Sequence, residues 1–196
     1  MTWIKRRSAA QRDTGSPAAF QGHTVYQRLL VPIDGSATSE RGLAEAIAIA
    51  RMSGGSIRLL HVLDELVFAS GFEGGATYLN TVLPQMRQHS ERILATGRQR
   101  AAAAGIDVDT LCVECFARRT SDVIVEQATA WPADLIVLGT HGRRGVSRVM
   151  LGSDAEQVLR MAPVPVLLVR CGESGATVPA AVAPSAEAAA LTPVAG

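Results

Sequence analysis

The residues best placed to do chemistry lie in one stretch, LIVLGTHGRRGVSRVMLGSDAEQVL, running from Leu135 to Leu159. Gly139 is followed after two residues by Gly142, and after nine more by Gly152 and Ser153. Glycines turn the backbone at little steric cost and leave bare peptide against which a ligand can lie. Gly152 and Ser153 stand just ahead of the apolar spacing Ala155, Val158, Leu159, so they belong at or beside a helix N-terminus. Unpaired N–H groups and the helix dipole favour an anion there. Successive N–H groups in a glycine turn also form an anion nest, and Arg143, Arg144 and Arg148 supply local positive charge. The chemistry implied is the binding of a phosphate.

Such a loop needs a strand to deliver it. Leu135 to Leu138 is a continuous apolar run, the pattern of a strand buried on both faces in a parallel sheet. Upstream, Arg28 to Ile33 reads as a first strand, Asp34-Gly35-Ser36 as a turn, and Ser39 as the N-cap of a helix carrying Leu43, Ala46, Ile47 and Ala50 on one face. Gly54 and Gly55 end that helix, and Ile57 to Leu63 is the second strand. A glycine-containing loop with Phe68 and Phe72, from about Asp64 to Gly75, reads as a lid or as disordered chain. The spacing of Leu83, Met86, Ile93, Leu94 and Gly97 predicts a long helix from about Leu79 to Ala104, stopped by Gly105. Val108 to Val113 is a third strand. Thr120 or Ser121 caps a helix ending at Trp131-Pro132, and after the glycine loop come a helix from Ser153 to Met161 and a last strand, Val164 to Val169.

Strand and helix thus alternate from end to end. The fold class that follows is α/β, a parallel sheet with right-handed crossovers and helices on both faces. In such sheets ligands collect at the carboxyl ends of the strands where strand order reverses. That rule gathers Asp34 to Ser36, Val62 to Asp64, and Gly139 to Gly142 at one place.

Composition sets the outer limits. The 196 residues are 47% hydrophobic and 19% charged, as for one globular domain, and a net charge of +1 gives no electrostatic case for nucleic acid. No apolar run approaches bilayer length and no apolar segment follows the basic N-terminus, so neither a membrane span nor a secretory signal is read, and a cytoplasmic address is expected. Residues 1–25 mix charge, Gly, Ser and Pro without period and read as a flexible extension. Residues 26–171 read as the folded domain and 172–196 as a flexible Ala/Pro-rich tail.

Three cysteines argue against a disulfide framework. Cys112 and Cys115 form a CxxC, but within a strand such residues point to opposite faces, and no second ligand pair completes a zinc site. They read as ordinary strand cysteines.

Four blocks in order, VPIDGS (Val31 to Ser36), LLHV (Leu59 to Val62), ADLIVLGTHGR (Ala133 to Arg143) and APVPVLLV (Ala162 to Val169), together with the Gly139, Gly142, Gly152-Ser153 spacing, resemble the universal stress protein family. The resemblance covers about Tyr26 to Cys171. It implies a Rossmann-like, five-stranded parallel sheet in the order 3-2-1-4-5, dimerised through the last strand, here residues 164–169. Members with this glycine pattern resemble ATP binders, so the resemblance implies ATP, with or without magnesium, as the ligand. By it, Pro32 and Asp34 approach the ribose or adenine, and Val62 contacts adenine through its backbone. Gly139, His141, Gly142 and Arg143 line the phosphates and ribose, and Gly152 and Ser153 complete the phosphate cradle.

Bland readings stand beside these. Asp34 is also a good Asx-turn residue, Arg144 and Arg148 suit a solvated face, and Trp131 suits packing. Asp154 departs from the small or apolar residue usual in the family. Its carboxylate either faces a phosphate, at a cost on the order of 4 kcal/mol for about 4 Å and an effective dielectric near 20, or turns away and supports the helix start, or serves magnesium. The turn-away geometry is the expected one.

Three functions compete. The first is an ATP-binding, dimeric stress-response protein whose nucleotide is a ligand or a slowly hydrolysed signal, with no catalytic residue assigned. The second is an ATP-using adenylating enzyme, but the first-strand loop reads DGSATS where a glycine-rich pyrophosphate motif is needed, and no GxxxxGK[ST] loop occurs. The third is a partner-binding dimeric module of the same family without nucleotide, in which loss of the glycine spacing would be expected.

Overall fold

Leu29, Leu30 and Val31 are consecutive and each fully buried, which requires cover on both faces of their strand. The computed structural model shows how the cover is made; it describes residues 4–7, 26–64, 78–116, 118–140 and 151–170. Its elements run β1 (Ile4–Arg7), β2 (Arg28–Pro32), α1 (Ala37–Ser53), β3 (Ser56–Asp64), a π-helical turn (Tyr78–Val82), α2 (Leu83–Ala103), β4 (Val108–Cys115), α3 (Thr120–Ala130), β5 (Leu135–Gly139), α4 (Ser153–Met161) and β6 (Val166–Val169).

The sheet order is β1-β4-β3-β2-β5-β6. The five strands from β4 to β6 are mutually parallel and, counted along the chain from β2, take the expected order 3-2-1-4-5. The sixth strand comes from the N-terminal segment. Ile4–Arg7 pairs antiparallel with β4, Ile4 opposite Val113 and Arg7 opposite Thr110, so these four residues close a sheet edge.

Strand side chains alternate between the faces. Leu29 and Val31 of β2, Ile57 and Leu59 of β3 and Val137 of β5 pack with Leu43, Ala46 and Ala50 of α1 and with Ile93, Leu94 and Ala101 of α2. Leu30, Leu60, Leu111, Ile136 and Leu138 pack with Val123, Ile124 and Ala128 of α3 and with Ala155 and Val158 of α4. Burying each of these Leu, Ile and Val side chains contributes roughly 1.5–3 kcal/mol, and the two layers fix which helices flank the carboxyl edge.

Helix ends are set locally, with one shift from expectation. Ser36 rather than Ser39 is the N-cap of α1, its Oγ accepting from Ser39 N–H at 3.2 Å. Gly35, at φ +79°, turns the chain so sharply that the helix starts at Ala37. Ser39 Oγ instead donates to Ser36 O at 2.9 Å, inside the first turn. Gly54 ends the helix in the left-handed conformation at φ 69°. Helix α3 begins with Arg119 at its N-cap position and no side-chain cap, so neither Thr120 nor Ser121 serves there.

Candidate functional site

One cavity of about 750 Å³ opens at the carboxyl edge of the sheet, a size usual for small-molecule sites. Its floor comes from the ends of β2, β3 and β5. The chain order explains the place: β2 connects outward to α1 on one face while β5 connects to α4 on the other, so the two connections part and leave a crevice.

Six of the expected residues line it, namely Pro32, Asp34, Val62, Gly139, Gly152 and Ser153. The other three, His141, Gly142 and Arg143, lie outside the described residues, as do Arg144, Arg148, Phe68 and Phe72.

Each wall has a local cause. Asp34 Oδ1 accepts from Ser36 N–H at 3.0 Å, the Asx turn that its position after β2 favours, and Asp34 also lines the cavity. At the opposite side Gly152 is the N-cap of α4, with no side-chain cap. Its N–H donates to Thr140 O at 2.9 Å, and Thr140 N–H donates to Val169 O at 2.9 Å. Thr140 therefore ties the end of β6 to the start of α4, whose first-turn residues Ser153, Asp154 and Ala155 line the cavity. A helix N-terminus so placed suits an anion.

Gly139 is needed for a reason other than bare peptide beneath a ligand. A Cβ there would lie 2.9 Å from the Thr38 carbonyl carbon and 3.0 Å from Ser39 N, so the glycine lets α1 rest directly on the end of β5.

Several lining residues were not singled out by spacing. His61, 2% exposed, joins its Nδ1 to Ile33 O at 2.7 Å and lies on the cavity wall. Helix α2 adds Gln85, Met86, His89 and Ser90, preceded by Val82. Those positions are three and four apart, one helical face, and that interval was the signal available; its polar members hid it among surface residues. Asp154 lines the cavity and is exposed. Among the described residues no group of three or more His, Cys, Asp or Glu side chains is arranged to hold a metal ion.

Away from the cavity, Cys112 packs in the α1/α2 layer and Cys115 in the α3 layer, both buried and on opposite faces of the sheet. Burial, reinforced by the Glu114 carboxylate, pushes the Cys112 thiol up to about 11. Trp131 packs under the Arg58 guanidinium at 4.6 Å from the ring centre, and Arg58 pairs with Asp109.

The sequence model of the universal stress protein family matches residues 25–170. A universal stress protein of Methanocaldococcus jannaschii is 32% identical over 149 residues, 76% of this chain and 85% of that protein. One from Bacillus subtilis is 27% identical over 151 residues, 74% of this chain and all of that protein. Among solved structures, the universal stress protein UspA from Lactobacillus plantarum superposes with a TM-score of 0.63 at 27% identity, covering 74% of this chain and 99% of that one. A universal stress protein in complex with cAMP superposes with a TM-score of 0.50 at 27% identity, covering 74% and 98%.

Proposed function

This chain belongs to the universal stress protein family, and from that premise we propose that it binds an adenine nucleotide, ATP, as a regulatory ligand in a stress response. The observation that carries the proposal is the cavity itself, which has an uncapped helix N-terminus at one wall and strand-end backbone with apolar side chains at the other. A relative of similar fold was solved with cAMP, and cAMP shares the adenine, ribose and phosphate that these walls suit.

The residues divide by chemistry. Gly152 and Ser153 would hold phosphate through main-chain N–H groups and the Ser153 hydroxyl, joined by Gly139, His141, Gly142 and Arg143 of the glycine loop 139–153. Pro32 and Asp34 would flank the ribose or adenine, and Val62 would meet the base. Phosphate donors of this kind hold a nucleotide without activating water, so slow hydrolysis is the upper limit of the activity proposed; any magnesium would arrive with the ATP.

The protein would act as a homodimer in the cytoplasm. No described helix is long and apolar enough to cross a membrane. Strand β6 lies at the sheet edge, where Leu167 is 36% exposed, and Leu159 and Met161 of α4 are exposed at 50% and 42%. An apolar edge of this kind calls for cover.

Denaturing freshly purified protein and resolving what it releases, followed by titration with ATP, tests the reading. Stoichiometric adenine nucleotide, and ATP binding that Gly142→Ala removes, is the expected result. Protein that releases none and does not bind ATP on titration would be left as a partner-binding dimeric module. A bound ATP-to-ADP ratio that falls with time would make it a slow ATPase.

A further inference from the structure

Strand β3 gives its backbone groups alternately to its two neighbours. Ser56 N–H donates to Gln27 O on the β2 side at 2.8 Å, and Ile57 N–H donates to Asp107 O on the β4 side at 2.9 Å. Continuing the alternation, even-numbered residues of β3 turn their N–H and C=O toward β2. Leu60 obeys, its carbonyl accepting from Ile33 N–H at 2.8 Å. Val62 is the next residue to face that way.

In an uninterrupted ladder Val62 N–H would donate to Ile33 O. That carbonyl is bonded to His61 Nδ1 at 2.7 Å instead. Among the described residues no backbone hydrogen bond joins Val62 to Ile33, and β2 has already ended at Pro32. A carbonyl only accepts, so Nδ1 carries the hydrogen. The N–H and C=O of Val62 therefore face the space beyond the end of β2, where Val62, His61 and Ile33 all line the cavity.

We infer that His61 is a positioning residue for base recognition: by holding Ile33 O it keeps the ends of β2 and β3 from zipping together, and it leaves Val62 N–H and C=O as a donor and acceptor for the edge of a purine. The inference rests on the nucleotide reading and deepens it. Adenine offers an acceptor at N1 and a donor at N6, the complement of this pair. Guanine offers the reverse at N1 and O6 and would leave both main-chain groups opposed by like partners, the condition under which a polar site discriminates best. His61 touches no base in this scheme; it acts through Val62.

Amide hydrogen exchange of the ligand-free protein, read residue by residue by NMR, tests the arrangement without any nucleotide. Val62 N–H is expected to exchange at least tenfold faster than Leu60 N–H in the wild type. In His61→Leu it is expected to slow to the Leu60 rate as the ladder closes, whereas His61→Asn, whose amide nitrogen can stand where Nδ1 stood, is expected to keep the fast exchange. Equal protection of Val62 and Leu60 in the wild type overturns the inference even if the leucine variant does not fold. In titrations, His61→Leu is expected to lose at least tenfold in ATP affinity with GTP affinity unchanged, and His61→Asn to recover the ATP preference. Wild-type binding of ATP with the same ATP-to-GTP ratio in His61→Leu overturns the inference alone; a wild-type protein that binds no ATP overturns the nucleotide reading beneath it.

Discussion

Gly139 lies so close beneath Thr38 that a Cβ atom on the glycine would stand 2.9 Å from the threonine carbonyl carbon. The contact joins the end of β5 to the first turn of α1, and thus two walls of the cavity. Gly139→Ala must push backbone rather than a flexible side chain, so overpacking is expected to cost about 1–3 kcal/mol. Chemical denaturation measures the loss, and ATP affinity is expected to fall with it because the Asp34 to Ser36 turn moves together with α1. An alanine variant of wild-type stability would show that α1 shifts freely there.

Arg87 of α2 grips Glu114 of β4 through two hydrogen bonds of 2.5 and 2.8 Å. The Glu114 side chain is 3% exposed and that of Arg87 38%. Removing the arginine leaves a carboxylate nearly out of water. Breaking a fully buried pair costs about 3–5 kcal/mol, and the half-open arginine side reduces this to about 2–3. Arg87→Met is expected to lower stability by that amount in urea unfolding, and addition of Glu114→Gln to restore part of it.

The Cys112 thiol, pushed by burial from its ordinary value of 9.0 to about 11, makes stability depend on alkaline pH. The unfolded chain loses this proton near pH 9 and the folded chain only near 11. Between the two the unfolded state binds fewer protons, so stability falls as pH rises, by on the order of 2–3 kcal/mol in all. Denaturation midpoints measured from pH 8 to 11 are expected to fall more steeply in wild type than in Cys112→Val. Parallel curves would contradict the shift.

Asp154 lines the cavity in the first turn of α4, yet its side is open to solvent. Water screening reduces its repulsion of a phosphate at about 4 Å to about 1 kcal/mol. Asp154→Asn is therefore expected to raise ATP affinity about fivefold at low salt, and to lower stability by about 0.3–1 kcal/mol through loss of a first-turn acid. Calorimetric titration and thermal unfolding read the two effects separately. Weaker ATP binding in the variant would instead point to a metal ion held between Asp154 and the phosphates.

The elements were legible in the chain because periodicity is a local property, while the sheet order was implied by the resemblance of the four blocks to the family. Leu135 to Leu138 announces a buried strand whatever surrounds it, Gly54 and Gly105 stop helices through their own backbone freedom at φ 69° and 78°, and strict alternation of strand and helix leaves few topologies. The cavity side could be read as well, since ligand crevices follow from connection order, and Pro32, Asp34, Val62, Gly139, Gly152 and Ser153 do meet there.

What needed the folded chain were the relationships between residues far apart in sequence. That Gly139 is reserved for Thr38, that Ile4–Arg7 finds the free edge of β4, that one face of α2 brings Gln85 and His89 to the cavity, and that His61 takes the carbonyl Val62 would otherwise use are consequences of packing distance. No periodicity encodes them, because each depends on where two separately stable elements come to rest against one another.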